Sequence, residues 1–233
     1  MNQGEGVTAP RSSLTTPELR RSKTEQAFDL LEDLIVFQEL APGTMLSESR
    51  LMELTGLGRT PVREALQQLA REHLVEIHPH RGTLVSPIST ETQLKSLEVR
   101  RPVEELAVSL ASQRATDRQK ADMGALVDAL VSFDSDDMRQ FAVLLAQSHH
   151  LVASAVHNEF LTSVISSLHG PSRRFWFAHM KDRRTELRRA ATLHADILLA
   201  ICAGKDNDAR TASHALHAYL TEFTYRTLGV AAQ

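Results

Sequence analysis

At 233 residues with 42% apolar content, the chain suits one large domain or two small ones with a sizeable core, and no run reaches the length of a bilayer-spanning helix. The single cysteine, Cys202, lies in an apolar stretch and excludes a disulfide framework; no charged-then-apolar leader opens the sequence, so the expected location is the reducing cytoplasm. A net charge of −3 excludes a diffuse basic field: residues 1–88 carry 9 Lys and Arg against 12 Asp and Glu, and residues 89–233 carry 17 of each, so any cations that meet nucleic acid must be focused on one face.

Residues 1–20 are rich in Gly, Ser, Thr and Pro and read as a flexible tail. From about Lys23 to Glu39, apolar residues at Ala27, Leu30, Leu31, Leu34 and Ile35 have the spacing of an amphipathic helix, which Ala41-Pro42-Gly43 breaks. Next comes LSESRLMELTGLGRTPVREALQQLAREHLVEIHPHRGTLVS, residues 46–86. Ser47 is placed to cap a short helix carrying Leu51 and Leu54, and Gly56 supplies a positive φ at its end. A second helix is expected with Thr60 as N-cap and Pro61 at the first helical position, burying Val62, Leu66 and Leu69 and turning Arg59, Thr60, Arg63 and Gln67 outward. The alternation Val75–His78, the turn Pro79-His80-Arg81-Gly82 and the return through Thr83–Val85 predict a two-stranded wing, with Gly82 letting the backbone come close to a phosphate. Two short helices, a tight turn and a wing are the parts of a winged helix-turn-helix.

Residues 87–89 read as a linker, and the character then changes to helix. Six or seven helical segments are expected in 90–230, at roughly 90–114, 116–132, 134–157, 159–169, 172–186, 187–203 and 207–228. Breaks are expected at Ala115-Thr116, Asp134, Asn158, Gly170-Pro171 and Gly204, and Pro102 either kinks the first segment or marks its start. The fold class is therefore mainly α: a winged helix-turn-helix domain over 21–86 and an all-helical bundle over 90–230.

PGTMLSE, LTGLGRTPVREALQQLAREHLVE and HPHRGTLV together resemble the DNA-binding domain of the GntR family of bacterial transcription regulators. The helical part is similar to the effector domain of its FadR subfamily, the FCD class, in VRRPVEELAVSLA, HHLVASAVHNEFL, HADILLAICAGKD and HALHAYL, with helix count and length favouring the VanR-like branch. The resemblance covers about residues 23–228. Carried over residue by residue, it implies Arg59, Thr60 and Arg63 at base edges or phosphates, Ser49 or Arg50 near the backbone, and Arg81 with Gly82 at the wing tip. Gly58 stands where members commonly carry Ser or Thr, so one hydroxyl contact to phosphate is missing.

Eleven histidines is a high count for this length. Many members of the FCD class hold a divalent metal with one aspartate and three histidines, and the resemblance places the histidines on His149, His194 and His217, the last with one extra residue allowed in the preceding loop. Neutral imidazoles suit Zn²⁺ or Ni²⁺. The family aspartate, one turn before His149, is Leu145 here, which lowers the expected affinity or abolishes the site. His179, Asp182 or Glu186 are alternative sources of a fourth group, while His157, His169 and His214 read as surface or rim residues. The resemblance also implies a small organic or sugar acid as effector, paired by Arg100 and by Arg173 or Arg174. Arg183, Arg184, Arg188 and Arg189 read as a charged outer face.

The expected function is a homodimeric regulator, a repressor rather than an enzyme, binding a double-stranded DNA operator under control of that effector, with no membrane partner. The alternative from another class is a helical metal-dependent hydrolase with the winged domain as a docking module; no acid or base is spaced from the three histidines so as to commit to catalysis.

Overall fold

The computed structural model describes residues 22–229, so the expected tail lies outside the described residues. The first helix, α1 (Lys23–Val36), is opened by a capping box in which the Ser22 hydroxyl accepts from Glu25 N–H while the Glu25 carboxylate accepts from Ser22 N–H. Its buried face, Ala27, Leu31 and Ile35, meets Val62, Ala65, Leu66 and Leu69 of α3 (Arg59–Arg71). Between them, α2 (Glu48–Thr55) is capped by Ser47, whose hydroxyl accepts from Arg50 N–H at 3.2 Å, and stopped by Gly56 at φ +65°. Both signals act as read.

The start of α3 does not. The helix begins at Arg59, with Gly58 rather than Thr60 in the cap position and no side-chain cap. Pro61 is thus the third helical residue, where its missing N–H still falls among the groups without an intrahelical acceptor.

The wing is β2 (Val75–His78) against β3 (Gly82–Val85), antiparallel, with Val75 opposite Val85 and His78 opposite Gly82. A third strand, β1 (Met45–Leu46), pairs with the outer side of β3, giving the order β1-β3-β2. Two residues give no periodicity, so this strand was not legible. It also changes the reading of Gly82: at φ +114°, a Cβ there would stand 2.6 Å from the Leu46 carbonyl oxygen. The glycine makes room for β1.

The C-terminal half holds six helices among the described residues: α4 (Thr90–Arg114), α5 (Asp117–Val131), α6 (Met138–Ala155), α7 (Glu159–His179), α8 (Arg183–Cys202) and α9 (Asp206–Thr227). Ser89, Thr116, Asp137, Asn158 and Asp182 cap five of them through side-chain oxygens. The core runs through all six, from Val108 and Met123 to Phe141, Phe175, Leu198 and Tyr219. Pro102 sits inside a continuous α4, and α7 runs straight through Gly170-Pro171, where a break was expected. A Cβ at Gly170 would lie 3.1 Å from both the Glu32 carboxylate and Leu74, so this glycine serves a close approach of α7 to the N-terminal half. The break falls instead at Met180–Asp182.

The two halves are packed together. Val36 of α1 joins the C-terminal core, and Phe37 stacks on Phe177 with ring centroids 5.3 Å apart. Arg139 of α6 lies over the Phe37 ring and pairs with Glu39.

Candidate DNA-binding face and effector cavity

Arg59, Thr60 and Arg63 stand exposed on the N-terminal turns of α3, Ser49 and Arg50 are exposed at the start of α2, and Arg81 is exposed at the wing turn. Glu48 governs this face: Arg63 Nε donates to its carboxylate at 2.7 Å, and Arg59 Nε lies 3.7 Å from its other oxygen. Arg50 pairs with Glu53 at 3.3 Å. Arg50, Arg59 and Arg63 thus each have a carboxylate nearby. In an acidic half-chain this keeps the free protein's field small until a phosphate displaces the carboxylate.

The second constellation is buried between α4, α6, α7, α8 and α9. Arg100, 4% exposed, donates from Nε to Glu104 at 2.7 Å. The same carboxylate meets His169 Nε2 at 3.1 Å and His217 Nε2 at 2.8 Å. Burial works to raise the Glu104 pKa, yet Arg100 and the two imidazoles hold it well below the ordinary carboxylate range. An ionised carboxylate only accepts, so both Nε2 atoms carry protons and donate. His217 Nδ1, on the far side of the ring, is buried with no hydrogen-bond partner among the described residues.

His149 stacks on His169 with ring centroids 3.6 Å apart and meets the edge of His194 at 5.4 Å. Burial drives the His149 pKa well below its ordinary value, helped by the neighbouring imidazoles, and brings His194 down to about 4, so both are neutral at pH 7. Two adjoining cavities open onto this cluster, with about 30 and 40 Å³ of free space. Arg100, Arg173, Trp176 and Tyr219 line the first; Glu104, Ser148 and Val152 line the second.

The residues do not fit a metal. Among the described residues no group of three or more His, Cys, Asp or Glu side chains is arranged to hold one. Of the three expected ligands, His149 and His194 face one another, but His217 turns its Nε2 to Glu104, and the apolar Leu145 lines the cavity where the carboxylate would stand. His179, Asp182 and Glu186 line neither cavity, and Asp182 instead caps α8 through Thr185 N–H, so none of the three stands where a fourth ligand would be needed.

Two family models match the chain: bacterial regulatory proteins, gntR family, over residues 23–85, and the FCD domain over residues 95–221. The chain belongs to the GntR family, in its FCD-bearing, FadR-like group. This GntR protein is 29% identical over 171 residues to the Nta operon transcriptional regulator of Aminobacter aminovorans, covering 72% of this chain and 79% of that one. It is 34% identical over 95 residues to the transcriptional repressor RspR of Escherichia coli, covering 41% of this chain and 42%, less than half, of RspR. Its fold is that of E. coli McbR/YncC, with a TM-score of 0.73 at 22% identity over 89% of this chain and 99% of that one. It is a DNA-binding transcriptional regulator and not an enzyme, so the hydrolase alternative falls. Among the described residues no helix is long and apolar enough to cross a membrane.

For this GntR regulator two sequence expectations need correction. His169, read as a rim residue, is inside the cluster; a lone histidine before Gly170-Pro171 looked like a helix end, and only the continuous α7 turns it inward. Arg174 does not line the histidine cavity, because consecutive helical residues diverge by about 100° and Arg173 takes that direction. Glu104 was missed, although Arg100 and Glu104 stand one turn apart, the spacing at which an arginine and a glutamate on a buried helix face pair.

Proposed function

We propose that this regulator is a homodimeric repressor that presents Arg59, Thr60, Arg63 and the Arg81–Gly82 wing tip of each copy to one half of an operator, with Ser49 or Arg50 on the phosphate backbone, and releases it under control of a small carboxylate in the histidine cavity. The observation that carries this reading is the position of Arg173. Its guanidinium lines the cavity and stands 2.5 Å from Glu32 of α1, so one cation belongs at once to the ligand site and to the DNA-binding half.

The cavity chemistry supports an anionic ligand. Arg100 is already paired with Glu104, but Arg173 keeps one buried donor, Nε, with no partner among the described residues for an anion to take. The imidazoles of His149 and His194 are neutral, and the surrounding Phe141, Leu145 and Trp176 keep the dielectric low, where a charge-assisted bond is strong. Some 30–40 Å³ of free space holds only a few waters, which favours a compact acid over a long acyl or nucleotide ligand. The cavity works without a resident metal in this reading, because Glu104 already neutralises Arg100 and occupies His217. Exposed Val99 and Leu106, seven residues apart on α4, support pairing of two copies through that helix. Two copies double the phosphate contacts of a weakly charged monomer. The repressor assignment follows the similarity to RspR.

The test is operator binding by the purified chain to promoter DNA of its own operon, alongside a thermal-shift screen of small carboxylates. A ligand that both raises Tm and weakens operator binding is the expected result. Operator binding with no responsive carboxylate overturns the effector reading, and a monomer that binds one half-site with full affinity overturns the dimer.

A further inference from the structure

Arg174 follows Arg173 in α7 and faces a separate cavity. The residue is 3% exposed, yet its Nε and Nη2 donors have no hydrogen-bond partner among the described residues. Burial alone lowers its pKa, to about 10, with no carboxylate close enough to contribute. The guanidinium therefore stays charged at neutral pH and does not relieve its desolvation by losing a proton. A buried cation in that condition is costly unless an opposite charge reaches it. Arg173 beside it has Glu32; Arg174 has nothing equivalent among the described residues.

The cavity lies where the two halves meet. His73, from the turn after α3, and Pro87 of the connection line one side; Ser89 and Thr92 of the first turn of α4 and Gln93 line another. Helix α4 is 25 residues long, so its N-terminus presents a substantial positive dipole end. Gln93 adds a second unmatched group. It is buried, its Nε2 donates to Ser172 Oγ at 2.9 Å, and its Oε1 has no partner among the described residues. Turning the amide over keeps the Ser172 bond, since a hydroxyl donates as readily as it accepts, and exchanges the orphaned oxygen for two N–H donors. His73 is exposed, so the cavity has a side open to solvent.

We propose that this junction cavity is a binding site for a small anion of the halide, nitrate or short-carboxylate class, held by Arg174 at the N-terminus of α4. The free space of about 30 Å³ admits one such ion and excludes a nucleotide or a sugar acid. The bound anion neutralises Arg174 and ties the 87–89 connection to α4 and α7, which sets how firmly the DNA-binding half is held. This site is separate from the histidine cavity and does not depend on what that cavity binds.

The experiment uses the full chain in a bulky sulfonate salt at constant ionic strength, with chloride, bromide or nitrate then exchanged in. For the native protein, Tm rises saturably by about 3–5 °C with each small anion. Crystals soaked in bromide show an anomalous peak within hydrogen-bond distance of Arg174 Nε or Nη2. The variant Arg174→Met loses the saturable rise and equals or exceeds the native Tm in the sulfonate salt, because an uncompensated buried charge has been removed. Equal Tm in all anions, or a rise retained in full by Arg174→Met, overturns the proposal. Should that variant fail to fold, the bromide map of the native protein decides, and no peak at Arg174 overturns it.

Discussion

Arg173 Nη2 of α7 and Glu32 Oε1 of α1 stand 2.5 Å apart, across the boundary between the FCD domain and the winged helix-turn-helix domain. Burial raises the Glu32 pKa even against this guanidinium, so the carboxylate is held in place by Arg173 and is poorly accommodated without it. In the proposed regulation, an anion entering the histidine cavity competes for Arg173 and weakens its hold on α1. Glu32→Gln removes the charge that the ligand competes with. The expected outcome is a loss of about 3 kcal/mol of stability, as for breaking one side of a buried pair, and an effector-induced change in operator Kd that shrinks towards onefold. Operator titrations with and without the carboxylate read this directly; an undiminished effector response rules the relay out.

Glu72, at the end of α3, gives the same junction a pH dependence. Burial, with Glu32 nearby, lifts its pKa to about 7, while a hydrogen bond from Gln68 and the charge of Arg173 oppose the rise. A carboxyl whose folded pKa is above its unfolded value contributes stability that is complete below about pH 4.5 and lost as pH rises through about 7. Glu72→Gln abolishes that titration. Relative to the native protein, the variant gains about 3 kcal/mol between pH 4.5 and pH 8. Denaturant unfolding at the two pH values measures the difference; a constant offset between variant and native protein contradicts it.

The winged half was largely legible because its signals are local. Ser47, Gly56 and the Val75–Val85 alternation each specify backbone geometry within a few residues, and the structure uses them as read. What failed depended on distant partners. Gly170-Pro171 reads as a helix end unless one knows that Glu32 and Leu74 press against Gly170, and the close approach of Leu46 that also requires a glycine at position 82 comes from a two-residue strand with no pattern of its own. The histidine cavity shows the same division. His149 and His194 were found by their positions in the family pattern, whereas Glu104 and His169 join them only through the packing of α4 against α7 and α9.

On the DNA face, Glu48 sets the availability of two arginines. Arg63→Ala is expected to weaken operator binding by about 1–3 kcal/mol. Glu48→Gln has the opposite sign: with its charge gone, Arg63 and Arg59 no longer have to leave a carboxylate at 2.7 and 3.7 Å before meeting the operator, and affinity increases several-fold at low salt. Fluorescence-anisotropy titrations over a salt series test both variants. Glu48→Gln binding no tighter than the native protein would mean that the carboxylate does not restrain these side chains.

Leu145 decides the metal question. It is buried, lines the cavity, and precedes His149 by one helical turn, where the family resemblance implies an aspartate. In the native protein, elemental analysis is expected to find no stoichiometric Zn or Ni, and added Zn²⁺ leaves Tm within about 1 °C, because two imidazoles, His149 and His194, are too few to hold the ion. Leu145→Asp reverses this. Without metal, the new carboxylate is an unpaired charge in an apolar site, and Tm falls by about 10 °C. With Zn²⁺, the introduced carboxylate holds the ion together with His149 and His194, His217 exchanges Glu104 for it, and most of the lost Tm returns. Stoichiometric metal in the freshly purified native protein would show that the His217–Glu104 bond yields to an ion even without the aspartate, and the metal-free reading would be wrong.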